Sequence, residues 1–302
     1  MMLKTPPGAY APQDGTAADL RVGGEFFEGD AVEAAFAEQV QRGVDSLGLS
    51  LIFFLVGGCP ARFRSVGRAV VIRRIETPPE ITRTDVQAVV ITVRHTGDDT
   101  KQQATATAAT TARSEAFWPG GLLSWSLFSS TDGRALLAYE QWEGDDALDA
   151  ALALPVPYVP GIPGTESSAP VRYRLHRSHL GSTGEVPVGC VVTPVFDVDG
   201  PERQRHFIDE VFAMTQDVAP MAGSIAAHFH TSTDGTRVFN YAEWSDEQAH
   251  IDAVTADDPQ GVRRRITGEI DGVRPCGYRR WHLHTSLVPT GREDVRPGGS
   301  AW

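Results

Sequence analysis

The chain has 302 residues, a formal net charge of −12, and 41% hydrophobic and 22% charged residues. Such a charge repels a phosphate backbone, which argues against nucleic acid as a partner. No apolar run approaches the roughly 20 residues of a membrane-spanning helix. The three cysteines, Cys59, Cys190 and Cys276, are odd in number and form no CxxC pair, which argues against a disulfide framework or a zinc knuckle. The expectation is a cytoplasmic protein of two or three small domains.

In chain order, the N-terminus MMLKTPPGAYAPQDG lacks the hydrophobic centre of a secretory signal and reads as a tail. Residues 19–39 carry Glu-Gly-Asp before an alanine-rich amphipathic stretch, as residues 133–153 also do, and 68–80 resembles a closing strand. Two readings of 1–86 stay open: a degenerate partial module, or an unrelated extension covering a sheet edge. From residue 87 the pattern sharpens. AVVITVRHT (88–96) is β-branched and strand-like. A helix-compatible stretch (98–116), a pair of strand-like runs joined by Asp-Gly (121–142), a second helical stretch (145–154) and a strand-like segment (171–180) follow. Between the last two, 155–170 is rich in Pro and Gly and reads as a loop that could form a lid.

The same series then recurs. GLLSWSLFSSTDGRALLAYEQW (121–142) aligns without a gap on GSIAAHFHTSTDGTRVFNYAEW (223–244), 102 residues on, with 7 of 22 positions identical. CVVTPVFDV (190–198) falls on 88–96. Residues 200–217 place Phe207, Val211, Phe212 and Met214 on one helical stripe. A helix over 245–254 and a strand over 277–287 close the copy. Each copy thus reads β-α-β-β-α-β, a ferredoxin-like α+β module with one sheet face covered by helices. The bare faces must be buried, and each suits the other. The expected fold is therefore two modules, 87–184 and 185–290, packed sheet to sheet as an intramolecular α/β barrel, with a tail at 291–302.

Alternation along TRVFNYAEW puts Val238, Asn240, Ala242 and Trp244 on one face and Phe239, Tyr241 and Glu243 on the other. One Asn on an otherwise apolar face beside a Trp is a candidate pocket. The plainer reading makes Trp244 core and Asn240 a loop cap. His228 and His230 share a face and suit a polar lining or proton transfer. Together with His282 and His284 they form two HxH pairs, but no HExxH or carboxylate triad accompanies them, and no metal is expected. GxGxxG, GxxxxGK[ST] and GxSxG motifs are absent. Arg263, Arg264 and Arg265 form a run that suits a solvated surface, unless one reaches an anionic substrate oxygen.

The stretch HTSTDGTRVFNYAEWSDEQAH (230–250) resembles the signature of the antibiotic biosynthesis monooxygenase family, through His230, Ser232, Asp234-Gly235, Asn240-Tyr241 and Trp244. The first copy keeps Ser130, Asp132-Gly133, Tyr139 and Trp142, but has Ala138 in place of Asn and Phe128 in place of His. The resemblance implies a dimeric α/β barrel and an oxygenase acting on an aromatic polyketide, by hydroxylation, quinone formation or ring opening. It implies Asn240 and Trp244 as pocket residues, with Arg264 by spacing, and one functional pocket per chain because Ala138 replaces Asn. His230 is the candidate proton carrier. His228, Tyr241, Tyr139, Trp142 and Trp125 are the remaining candidates for substrate contact. The resemblance further implies O₂ as co-substrate and no built-in cofactor, or a reduced flavin delivered by a partner reductase. Homodimer formation stays open, as do haem binding, a cyclase or isomerase, and a non-catalytic binding protein on the same fold.

Overall fold

The computed structural model describes residues 70–154, 166–181, 186–258 and 260–290. The chain divides into two units, Met1–Gly67 and Arg68–Trp302, and every described residue belongs to the second. The echo at 19–39, residues 155–165 of the loop expected at 155–170, and the tail at 291–302 lie outside the described residues, while Glu166–Ser167 of that loop form a short strand.

Strand β1 (Val71–Ile75) lies along the outer edge of the last strand. The first module comprises β2 (Ala88–His95), α1 (Asp99–Glu115), β3 (Leu122–Ser130), β4 (Ala135–Trp142), α2 (Asp145–Leu152), the two-residue β5 (Glu166–Ser167) and β6 (Val171–Leu180). The second comprises β7 (Cys190–Val192), β8 (Val195–Val198), α3 (Pro201–Thr215), β9 (Ser224–Ser232), β10 (Arg237–Trp244), α4 (Glu247–Thr255), α5 (Val262–Gly268), β11 (Val273–Pro275) and β12 (Arg280–Thr290). The order β-α-β-β-α-β holds in both. The strand expected at 190–198 is broken into β7 and β8 at Thr193-Pro194, because a proline has no N–H to give to a ladder. The short helix α5 holds the arginine run.

The strands close into an antiparallel barrel of eight, β3-β4-β2-β6-β9-β10-β7-β12 and back to β3. The two joints between modules are made by exchange. β6, the last strand of the first module, pairs with β9 of the second, and β12 pairs with β3 of the first. Among the described residues, no helix is long and apolar enough to cross a membrane.

The repeat is visible in hydrogen bonds as well as in letters. Gln102 on α1 donates through Nε2 to Ser130 O, Ser130 Oγ and Ala135 O at 3.0, 3.0 and 2.8 Å. Gln204 on α3, 102 residues on, makes the same three contacts to Ser232 O, Ser232 Oγ and Arg237 O at 3.0, 3.1 and 2.7 Å. Each ties its helix to the hairpin end, where Gly133 and Gly235 adopt φ of +72° and +79°, a region costly for other residues.

Alternation along the strands divides the side chains between two layers. Inward-facing Phe128, Leu137, Tyr139, Phe239, Tyr241 and Trp281 form one core drawn from both modules, which is how the bare faces are buried. Outward-facing residues pack beneath the helices. In the first module they make one continuous cluster including Trp125, Leu127, Leu136, Trp142 and Leu148. In the second the layer is split. One cluster holds Phe207, Val211, Phe229 and Val238; another holds Cys190, Val192, Ala242 and Trp244. Asn240 stands between Val238 and Ala242 on β10, at the split.

Candidate active site

The helix-facing side of β10 presents Val238, Asn240, Ala242 and Trp244, as alternation predicts. Asn240 is fixed from behind: its backbone N–H donates to Pro194 O at 3.0 Å, across the break between β7 and β8. Two polar atoms on this face are buried and have no hydrogen-bond partner, Asn240 Oδ1 and Trp244 Nε1. Each such atom costs about 1–3 kcal/mol unless something supplies the missing partner. Trp244 is 5% exposed, so the plainer reading of this Trp as a core residue is correct in packing but leaves its N–H unexplained.

The first module shows what the same face looks like when satisfied. Trp142, the counterpart of Trp244, donates its indole N–H to Glu140 Oε2 at 3.1 Å. The counterpart of Glu140 is Ala242. Ala138 stands for Asn240, Trp125 for Ala227, and Leu148 for His250. The first module thus fills the layer with an indole, a carboxylate and a leucine where the second has alanines and an imidazole.

His250 lies on α4 and is buried. Its ring meets the indole of Trp244 edge to face, with centroids 5.0 Å apart, and that of Tyr278 at 5.1 Å. Its Nδ1 accepts from Arg280 Nε at 2.9 Å. Burial first, and then the Arg280 charge, push its pKa down to about 4, so the imidazole is neutral near pH 7.

The remaining candidates do not join this group. His228, His230, Tyr241 and Tyr139 lie on the opposite face of the sheet, inside the barrel. There His230 Nδ1 donates to His228 O at 3.0 Å, and its Nε2 accepts from Tyr139 OH at 2.9 Å. His228 Nδ1 meets Ser178 Oγ at 2.8 Å. Burial lowers the His230 pKa to about 3 and pushes Tyr139 well above the usual tyrosine range. Both His230 nitrogens are engaged and burial disfavours its protonation, and the ring lies on the barrel side of the sheet, apart from Asn240 and Trp244. Trp142 and Trp125 belong to the first module's helix-facing cluster. Arg264 points outward, 75% exposed, and pairs with Glu269 at 3.1 Å. Its neighbour Arg263 turns toward the helices, donating to Ala253 O at 2.9 Å and Ala256 O at 2.8 Å. Short helix α5 rotates the two arginines apart, which spacing alone does not reveal. Among the described residues, no three His, Cys, Asp or Glu side chains converge as a metal site would require.

Sequence reasoning missed Glu140, His250 and Arg280. The first two carry a signal: comparing the copies at one offset exposes Glu140 against Ala242 and Leu148 against His250. The Arg280–His250 bond spans 30 residues and has no local pattern.

Comparison with known proteins agrees with the resemblance. Residues 197–261 match the antibiotic biosynthesis monooxygenase family. Tetracenomycin-F1 monooxygenase of Streptomyces glaucescens is 44% identical over 64 residues, which are 21% of this chain and 55% of that protein. The chain thus spans about half the length of the curated relative it matches. An anthrone oxidase-like protein of known structure superposes with a TM-score of 0.54 at 18% identity, over 68% of this chain and 94% of that one. A monooxygenase of Streptomyces coelicolor solved with nanaomycin D is 32% identical over 30% of this chain and 85% of that one, with a TM-score of 0.25.

Proposed function

We propose that the second module is the working half of an oxygenase that inserts oxygen from O₂ into an aromatic polyketide, and that the first module is its structural counterpart. The observation that carries this reading is the pair of unpartnered buried atoms, Asn240 Oδ1 and Trp244 Nε1, on a face whose counterpart is plugged. A planar phenolic ring repays both. Its oxygens pair with the Asn240 amide and the Trp244 N–H, and its faces lie against aromatic and aliphatic side chains. The matched monooxygenase is named for tetracenomycin F1, and that name supports a fused-ring aromatic substrate.

In the chemistry proposed, the substrate loses a phenolic or enolic proton, the electron-rich anion passes an electron to O₂, the two radicals join as a carbon-bound peroxide, and its O–O bond breaks with one oxygen kept on carbon and the other leaving as water. The chain's residues orient the ring, exclude water and aim dipoles at the developing charge. Reduced flavin from a separate reductase would supply those electrons where the substrate anion does not.

Oxygen uptake by the purified chain, with a panel of anthrones and polycyclic phenols and with or without a flavin reductase, tests the reading. Uptake without flavin is expected. Asn240→Ala should lower it about 100-fold or more, the loss typical of one aimed polar partner, with the circular dichroism spectrum unchanged. Uptake that is absent under both conditions, or equal in Asn240→Ala, would overturn it.

A further inference from the structure

His250 is the one ionisable side chain whose ring contacts Trp244 in this layer among the described residues, and its bonding decides what it can do. Arg280 is a guanidinium and can only donate. Its Nε–H points at His250 Nδ1, so that nitrogen carries a lone pair. In the neutral ring the proton therefore sits on Nε2. Nε2 has no hydrogen-bond partner among the described residues. The ring cannot act as a base: one nitrogen's lone pair is occupied and the other already bears hydrogen. It can act as a donor, and the cation behind it polarises the N–H outward. Trp244 Nε1–H, on the ring packed edge to face against it, is a second donor with no acceptor. Two neutral N–H groups with a positive charge behind one of them suit a negatively charged oxygen better than a hydroxyl.

We infer that His250, locked by Arg280 as the Nε2–H tautomer, joins Trp244 in a pair of neutral donors that bind the ligand as a phenolate or enolate anion. This rests on the reading of the face as the substrate site. The ionisation is a simple one. The phenolic O–H breaks on binding, the electron pair stays on oxygen, and the proton leaves to solvent rather than to the imidazole. The other charged groups around the ring are Glu247, on the same helix, which opposes Arg280, and Asp246 at the helix N-cap, whose carboxylate is held by Ala249 N at 2.8 Å. The first module has no such device among the described residues: Arg172 occupies the place of Arg280 but pairs with Asp145 and Asp149, and Leu148 stands for His250.

The test is equilibrium binding of alizarin, whose phenol and phenolate forms differ in colour, to the full chain across a pH series, with unsubstituted anthraquinone as the non-ionising control. The pKa of bound alizarin should fall by about one pH unit or more relative to the free dye. His250→Leu should abolish most of that fall and weaken alizarin about tenfold or more, while leaving anthraquinone within about twofold. Arg280→Met should reduce the fall, and His250→Gln, which keeps an N–H donor, should restore part of it. Nitrogen NMR of the imidazole should report a protonated Nε2, and this reading stands in if His250→Leu does not fold. A protonated Nδ1, an unshifted dye, absence of alizarin binding, or an equal shift in His250→Leu would each overturn the inference. Oxygen uptake with no dye ionisation would defeat this inference alone. Dye ionisation with no uptake on any substrate would defeat the oxygenase reading alone.

Discussion

The two helix-facing layers descend from one pattern and differ at a handful of positions. In the first module, Trp125, Glu140 and Leu148 fill the space, and the indole N–H of Trp142 finds a carboxylate at 3.1 Å. In the second, Ala227, Ala242 and His250 take those places, and the indole N–H and an amide oxygen are left over. Since both modules share helices, hairpins and the Gln102/Gln204 ties, the difference is not one of fold. The first layer satisfies its counterpart indole N–H, whereas one that leaves an indole N–H and an amide oxygen unsatisfied is about 2–6 kcal/mol short of what it could reach. On the proposed reading, the substrate makes up that shortfall.

Moving the plug across is the harshest test. Ala242→Glu should give Trp244 the partner that Trp142 has, and should lower oxygen uptake about 100-fold or more. The mirror change, Glu140→Ala, should leave uptake within about twofold while lowering stability by about 1–3 kcal/mol in a denaturant titration. Acid distinguishes the interiors next. His230 is held near a pKa of about 3, whereas an unfolded histidine sits near 6.5. As pH falls from 6.5 toward 3, the unfolded chain takes a proton that the folded one refuses, so stability falls by up to about 1.4 kcal/mol per pH unit from this group. His230→Phe, which installs the first module's Phe128, should flatten that slope in melts run at pH 7 and pH 5, whatever it does to stability at neutrality. A finer comparison is Trp142→Phe against Trp244→Phe. Both leave a similar void, but only the first strips a buried carboxylate of a donor, so it should be about 1–3 kcal/mol the more destabilising. The smallest contrast is between adjacent arginines: Arg264→Ala should change stability by less than about 0.5 kcal/mol, because its ion pair is exposed, while Arg263→Ala should cost about 1 kcal/mol by freeing the Ala253 and Ala256 carbonyls.

Much of this is legible in the letters. The 102-residue offset, the Asp-Gly hairpins and the alternation in TRVFNYAEW give the modules, the barrel and the face shared by Asn240 and Trp244. What alternation cannot give is which face meets the helices and which meets the barrel, because both are apolar. Hence His228, His230, Tyr139 and Tyr241 join Asn240 and Trp244 as candidates although they lie on the other side of the sheet. Arg264 lies at the surface for a different reason: in the short helix α5, moving one residue along turns a side chain by about 100°, so spacing does not reveal which arginine of the run faces solvent. His250 is missed because its partner, Arg280, arrives on a separate strand.

The exchanged strands have a consequence for how the chain reaches this state. Because β6 completes the second module's sheet and β12 the first's, neither module has a finished edge until both are present. The closing contacts join distant parts of the chain; Thr290 Oγ1 donates to Val71 O across 219 residues. Such a topology has high contact order and is expected to fold slowly and melt in one cooperative step. A fragment beginning at residue 185 would expose the β9 edge that β6 covers, and should associate with itself rather than stand alone.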